Sequence, residues 1–152
     1  SINLGGGVLT SNGSQDLFIA RYTSNGTHVW SESFGSTQFD TAVGIAVTSS
    51  NEAVMLTDGE SRNTGVIWDR AGHRIAFQST RRNGASNDIW LMDVAAPESA
   101  RMILESPDGT YWAPADFAAD GLRLLILNYV GNADSRIHLL DLETRELRLL
   151  AG

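Results

Sequence analysis

The sequence predicts an all-β chain of about three four-stranded antiparallel sheets in a propeller-like array, and three observations carry that prediction. Short apolar runs bounded by Gly, Asn and Asp recur along the chain, which is the pattern of strands joined by tight turns; helices would need longer runs. A turn motif, Trp68-Asp-Arg-Ala-Gly72, recurs as Phe117-Ala-Ala-Asp-Gly121 at an offset of 49 residues. In both, an aromatic closes one strand and Gly supplies the positive φ of the turn into the next. A strand motif appears three times, as Asp16-Leu-Phe-Ile-Ala-Arg21, Asp88-Ile-Trp-Leu-Met-Asp93 and Arg136-Ile-His-Leu-Leu-Asp141. Repetition every 40 to 50 residues or so is what blades give, because a lone four-stranded sheet cannot bury both faces without neighbours. The runner-up architecture is a β-sandwich of the same hairpins.

Taken in order, residues 1–15 are rich in Gly, Ser and Asn and predict a loop, with Ile2-Asn-Leu4 and Val8-Leu9 giving at most a short edge strand. Residues 16–22 and 28–34 alternate as a hairpin around the turn Asn25-Gly26. Residues 41–48 and 53–56, separated by Ser49-Ser-Asn-Glu52, predict a second hairpin, and these four strands would complete one sheet. Residues 65–69, 74–80, 88–94 and 101–104 make the next. Residues 105–114 read as a loop built on Pro107-Asp-Gly109 that carries Tyr111-Trp112. Residues 115–117, 122–129, 136–142 and 146–150 make the last sheet. The chain is expected to form a single all-β domain over 1–152.

Several of these motifs resemble known propeller repeats. Residues 54–152 resemble TolB-like blades, particularly in the form that precedes the hydrolase domain of the prolyl oligopeptidase family. The resemblance is carried by Leu56-Thr-Asp-Gly59, Trp68-Asp-Arg-Ala-Gly72, Arg74-Ile-Ala-Phe77, Ser79-Thr-Arg-Arg82 and Asp88-Ile-Trp-Leu-Met-Asp93. Residues 1–52 resemble a different repeat, the bacterial seven-bladed propeller type, through Leu4-Gly-Gly-Gly7, Asp16-Leu-Phe-Ile-Ala-Arg-Tyr22, the Asn25-Gly26 turn, Val29-Trp-Ser31 and Ala42-Val-Gly-Ile-Ala-Val47. Composition changes at the same place. Before residue 52 there is one basic residue, Arg21, and all the others follow it. A junction between two unrelated propeller fragments near residues 50–56, a chimera, is therefore expected. The first resemblance implies an accessory, substrate-gating propeller whose catalytic residues belong to a domain outside this chain.

With 42% hydrophobic and 19% charged residues, a folded chain is expected rather than a disordered one. The net charge of −7 argues against nucleic acid as a partner, because binding phosphates requires a basic face and the only basic cluster is Arg81-Arg82. No apolar run reaches the roughly 18 residues of a membrane helix, so no membrane partner is expected. There is no Cys, which excludes disulfides and thiolate chemistry and leaves the compartment open. The eleven basic residues are all Arg, a bias that fits a high-GC bacterial source. The absence of an initiator Met at Ser1 suggests a processed or excised piece.

No catalytic constellation emerges, and the expectation is that the chain is not an enzyme. A serine hydrolase needs Gly-x-Ser-x-Gly with His and acid partners, whereas Gly84-Ala-Ser-Asn-Asp88 lacks the closing Gly and sits where a hairpin loop belongs. His28, His73 and His138 have no metal spacing and fall on or beside different strands. Asp58-Gly-Glu60 and Pro107-Asp-Gly109 do not continue into the alternating oxygens of a calcium loop, and Gly5-Gly-Gly7 lacks the Lys of a phosphate loop. Neither a metal nor a cofactor is expected. Asn12-Gly-Ser14 and Asn25-Gly-Thr27 satisfy the glycosylation sequon, though the second is also a hairpin turn. Trp30, Trp68 and Trp90 lie on strand patterns and are expected to pack between sheets.

The nominated binding surface is the remaining Trp112, with Tyr111 beside it in the same loop, together with Arg81, Arg82 and Asn83, because loops on one side of a propeller share a face. A peptide or protein ligand would suit it. The function expected is a non-catalytic interaction or scaffold module, or a hybrid selected only to fold. Blades of roughly 40–45 residues close in rings of about four to eight. One chain supplies about three and a half such blades, so self-association as a homo-oligomer is expected, with residues 41–57 the segment to exchange.

Overall fold

Strands account for all regular structure in the computed structural model, which describes residues 1–13, 16–35, 46–47, 53–54, 56–57, 61–107 and 109–152. Among these residues there is no helix, and hence none long and apolar enough to cross a membrane. The chain divides into two compact units, residues 1–60 and 61–152.

In the first unit, β1 (Ile2–Asn3) pairs antiparallel with β2 (Val8–Leu9), so the Gly-rich start forms a short hairpin. β3 (Leu17–Tyr22) pairs with β4 (His28–Phe34), from Leu17 opposite Phe34 to Tyr22 opposite His28. The Asn-Gly turn closes as expected: Gly26 adopts a φ of 83°, and Thr23 N–H donates to the Thr27 carbonyl at 2.8 Å. β5 (Ala46–Val47) pairs with β6 (Ala53–Val54) as a separate two-stranded sheet. The 50–56 junction and the 41–57 exchange segment lie largely outside the described residues, as does Asp58-Gly-Glu60.

The second unit holds two complete antiparallel meanders. β7 (Asn63–Trp68), β8 (Arg74–Ser79), β9 (Asp88–Asp93) and β10 (Ala96–Leu104) are hydrogen-bonded in chain order, and so are β11 (Tyr111–Phe117), β12 (Arg123–Gly131), β13 (Asp134–Asp141) and β14 (Leu147–Ala151). The repeat read from the sequence is also geometric. Asp69 N–H donates to the Arg74 carbonyl and Gly72 N–H to the Asp69 carbonyl; Ala118, Arg123 and Gly121 repeat the pattern. Gly72 and Gly121 have φ of 71° and 67°, the left-handed geometry this turn demands.

Ala76, Ile89, Leu91 and Ile103 of the first sheet meet Trp112, Phe117, Leu124, Ile126 and Leu140 of the second, with Leu142 after β13, in one core cluster. On the other face of the first sheet Ile75, Phe77 and Met92 are buried as well.

Two readings of the sequence are corrected: among the described residues β3–β4 and β5–β6 are separate two-stranded sheets rather than one four-stranded sheet, and the loop expected over 105–114 is shorter. Tyr111 and Trp112 do not lie in a loop; they open β11, and the expected third-sheet strand 115–117 begins four residues earlier. Pro114 conceals this, since a proline argues against a strand. It is tolerated because β11 is an edge strand and because the register shifts between Pro114 and Asp116, a bulge that takes up Ala115. The same holds for Pro97, which lies in the other edge strand, β10.

Candidate functional site

The nominated residues fall at one end of the two sheets, on the β8–β9 connection and at the start of β11. The link between these places is Asp88, which sequence reasoning did not single out. It opens β9, is fully buried, and accepts from Arg82 Nε at 2.7 Å, Arg82 Nη2 at 3.1 Å and Ser106 N–H at 2.9 Å. Arg82 also reaches Glu105 Oε1 through Nη1 at 3.0 Å. Hydrogen bonding to Asp88 holds the Arg82 guanidinium protonated beyond its ordinary range, against the opposing pull of desolvation. From Ser106 the chain continues to Thr110, whose hydroxyl accepts from the buried Asn128 Nδ2 at 2.6 Å.

The other nominated side chains are similarly engaged. Arg81 lies over the Trp90 ring at 5.0 Å. Asn83 closes its own loop, its Oδ1 accepting from Ala85 N–H and Ser86 N–H and its Nδ2 donating to Ser86 Oγ. Trp112 is 5% exposed and its ring lies 5.0 Å from that of His138, so it is a core residue and offers no platform to a ligand. The physical reason is its register opposite Asn128, on the face of β12 that carries Leu124 and Ile126 into the core. Tyr111 is 45% exposed but its hydroxyl donates to Gln78 Oε1 at 3.3 Å. Gln78, buried on β8, also accepts from Thr64 Oγ1 at 2.9 Å and donates to the Trp112 carbonyl at 2.6 Å. Its amide thus joins the two sheets at this end.

A second polar knot ties the sheets at the opposite end of β8. Asp69 accepts from His73 N–H at 2.8 Å, Arg74 N–H at 3.1 Å and Arg74 Nε at 3.1 Å. Burial alone would raise its pKa, but the hydrogen bonds from Arg74 and His73 outweigh it and hold the carboxyl below the ordinary value. Arg74 Nη2 then donates to the Gly121 carbonyl at 2.6 Å, and its guanidinium lies 5.7 Å from the centre of the Phe117 ring. These residues were read from the sequence as a turn; that they clamp sheet to sheet was not.

The histidines stay apart. His28 is on β4, His73 in the β7–β8 turn and His138 on β13. Among the described residues no group of three or more His, Cys, Asp or Glu side chains is placed to hold a metal. Burial pushes the His138 pKa down, and Arg136 adds to the effect. Ser86 is hydrogen-bonded to Asn83, and no described hydrogen bond joins it to a histidine.

No protein-family model and no curated protein matches the chain. Among solved structures, TolB from Acinetobacter baumannii, a β-propeller protein, matches with a TM-score of 0.50 and 16% sequence identity over 68% of this chain. The fold is TolB-like. The match spans 25% of the TolB chain, so what is shared is a fragment of a propeller. At 16% identity the likeness carries the architecture and nothing of ligand or activity.

Proposed function

We propose that this chain is a non-catalytic propeller module that works as an interaction or scaffold element. The observation that carries the reading is the commitment of the polar side chains at the nominated end. Arg82 and Asp88 neutralise each other, Asn83 shapes its own loop, and Gln78 and Asn128 hold strands together. Catalysis needs a nucleophile activated by a positioned base, and the serine in this loop is held by an amide instead. The test is a hydrolysis assay on peptide esters and labelling with a fluorophosphonate probe. Neither turnover nor labelling is expected, and turnover that disappears in Ser86→Ala would overturn the reading.

The origin of the chain as a hybrid of two repeat types joined near residues 50–56 belongs to the same proposal. Its support is the change of motif and the confinement of all but one Arg to the later part. Sequencing the parent gene tests it; intermediate blades of mixed character between the two types would refute it.

A further inference from the structure

The second complete sheet repeats the first, and the repeat identifies a face that is less buried than its counterpart. On the face of the first sheet that meets the second, Ala76 pairs with Leu91 and Gln78 with Ile89. Counting 49 residues on for β8 and 48 for β9, the equivalent pairs are Leu125 with Leu139 and Leu127 with Ile137. The first four are at most 1% exposed, whereas Ile137 is 43% exposed. Leu125, Leu127 and Leu139 are only half-buried, and Tyr129 on the same face is exposed. Moreover, Leu127 stands where Gln78 makes its sheet-to-sheet hydrogen bond, so the uncovered face offers carbon where the covered one offers an amide. A contiguous apolar sheet face in water marks an interaction surface.

The pattern of the face specifies the occupant. The register of β11 to β14 lines up Asp116, Leu125, Leu139 and Arg148 in one row, and Ala113, Leu127, Ile137 and Ala151 in another, where Ala113 is already buried and the open part is Leu127, Ile137 and Ala151. In steric terms each row reads nearly the same in both directions, and the first carries opposite charges at its two ends. Consider a two-fold axis parallel to the strands, midway between two stacked sheets. It lays β11 of one copy over β14 of the other, so that Leu125 faces Leu139, Leu127 faces Ile137, and Asp116 faces Arg148 at both ends. Aligned sheet packing, within about 30° of parallel, keeps these partners in reach. No ion pair among the described residues involves Asp116 or Arg148.

We propose that this face is the contact of a two-fold dimer, with a second copy of the chain as its partner. The proposal rests on the reading of the chain as an interaction module and names what it binds. The apolar rows bury each other as the two sheets inside the chain do, and the charged ends set the alignment.

Sedimentation equilibrium across a concentration series tests it on the intact chain. The expected result is a reversible monomer–dimer equilibrium with a limiting mass twice 16.4 kDa. Asp116→Arg and Arg148→Asp each set like charges against each other at both ends and should weaken the dimer about tenfold. The double exchange restores the pairs and should bring the dissociation constant back to within about threefold of the parent. Ile137→Glu, at the centre of the face, should leave only monomer. Because residues 116 and 148 are exposed, the charge exchange remains decisive even if Ile137→Glu misfolds. A monomer at all concentrations, a mass that climbs past the dimer, or no rescue in the double exchange would overturn the proposal. None of these outcomes bears on the hydrolysis assay, so the two readings fail separately.

Discussion

Truncating Asp88 tests whether the two loops at the nominated end are held together by one buried carboxylate. In Asp88→Ala, Ser106 N–H loses its acceptor in a buried position, which costs about 1–3 kcal/mol. The two bonds from Arg82 are also lost, but the Arg82 side chain keeps Glu105 and rehydrates, so the Ser106 N–H sets the magnitude. Over a unit of this size, with stability of about 5–14 kcal/mol, a loss of about 1–3 kcal/mol corresponds to a fall of roughly 4–24 °C in Tm. Asp88→Asn keeps the shape and one acceptor oxygen and should cost about half as much. The control is Asp134→Ala, which breaks the Arg136 pair at 3.0 Å with side chains 46% and 43% exposed, and should change stability by under about 0.5 kcal/mol. Urea unfolding followed by tryptophan fluorescence and circular dichroism reads all three. Equal losses in Asp88→Ala and Asp134→Ala would refute the reasoning, since burial, the Ser106 bond and a second arginine bond set the Asp88 site apart.

Two predictions concern pH. The carboxyls of Asp69, Asp120 and Asp141 are all held below the ordinary value of 3.8: Asp69 by hydrogen bonds that outweigh its burial, Asp120 chiefly by Leu122 N–H, and Asp141 chiefly by Thr144 N–H. Because their folded pKa values lie below the unfolded ones, the stability they contribute is complete above the unfolded value and is lost as pH falls through the folded ones. Acid unfolding should therefore steepen below pH 3.8, and Asp69→Asn should flatten that limb; an unchanged slope would remove Asp69 from the account. His138 acts in the same direction at higher pH: burial holds its folded pKa under 6.5, so the unfolded chain takes up a proton first and stability falls as pH drops past 6.5. Proton NMR should show its ring titrating below 6.5, and a midpoint at or above that value would contradict its placement beside Trp112.

Turns were the most legible feature of this chain, because their chemistry is local. Asn25-Gly26, Asp69-Arg-Ala-Gly72 and Ala118-Ala-Asp-Gly121 each fix a backbone geometry within a few residues, and glycine takes up the positive φ at all three. The all-β class followed from them. What stayed hidden depends on residues far apart in the chain. Trp112 read as part of the loop built on Pro107-Asp-Gly109, and only the edge position of β11 with its bulge makes Pro114, two residues on, compatible with a strand. Gln78 looked like an ordinary polar strand residue, yet its partner is the carbonyl of Trp112, 34 residues on.

The repeat itself shows where motif and function separate. At the position of Asp69 the second turn has Ala118, yet the turn closes with the same backbone bonds, so the carboxylate is not required for the reversal. In the second copy a carboxylate returns two residues later, as Asp120, which accepts from Leu122 N–H at 2.9 Å and from Arg123 Nη2 at 2.6 Å. Arg123 stands where Arg74 stood, but it is spent on its own turn, while Arg74 reaches across to the Gly121 carbonyl of the next sheet. The same motif thus clamps a neighbour in the blade that has one and closes on itself in the blade whose outer face is bare. That asymmetry matches the amide of Gln78 giving way to Leu127: at both ends of the sheet, the polar links that join blade to blade within the chain are absent from the face offered outward. In the proposed dimer that face is held by apolar contact and by the charges at its rim, with no polar link of the kind that joins the two sheets inside the chain.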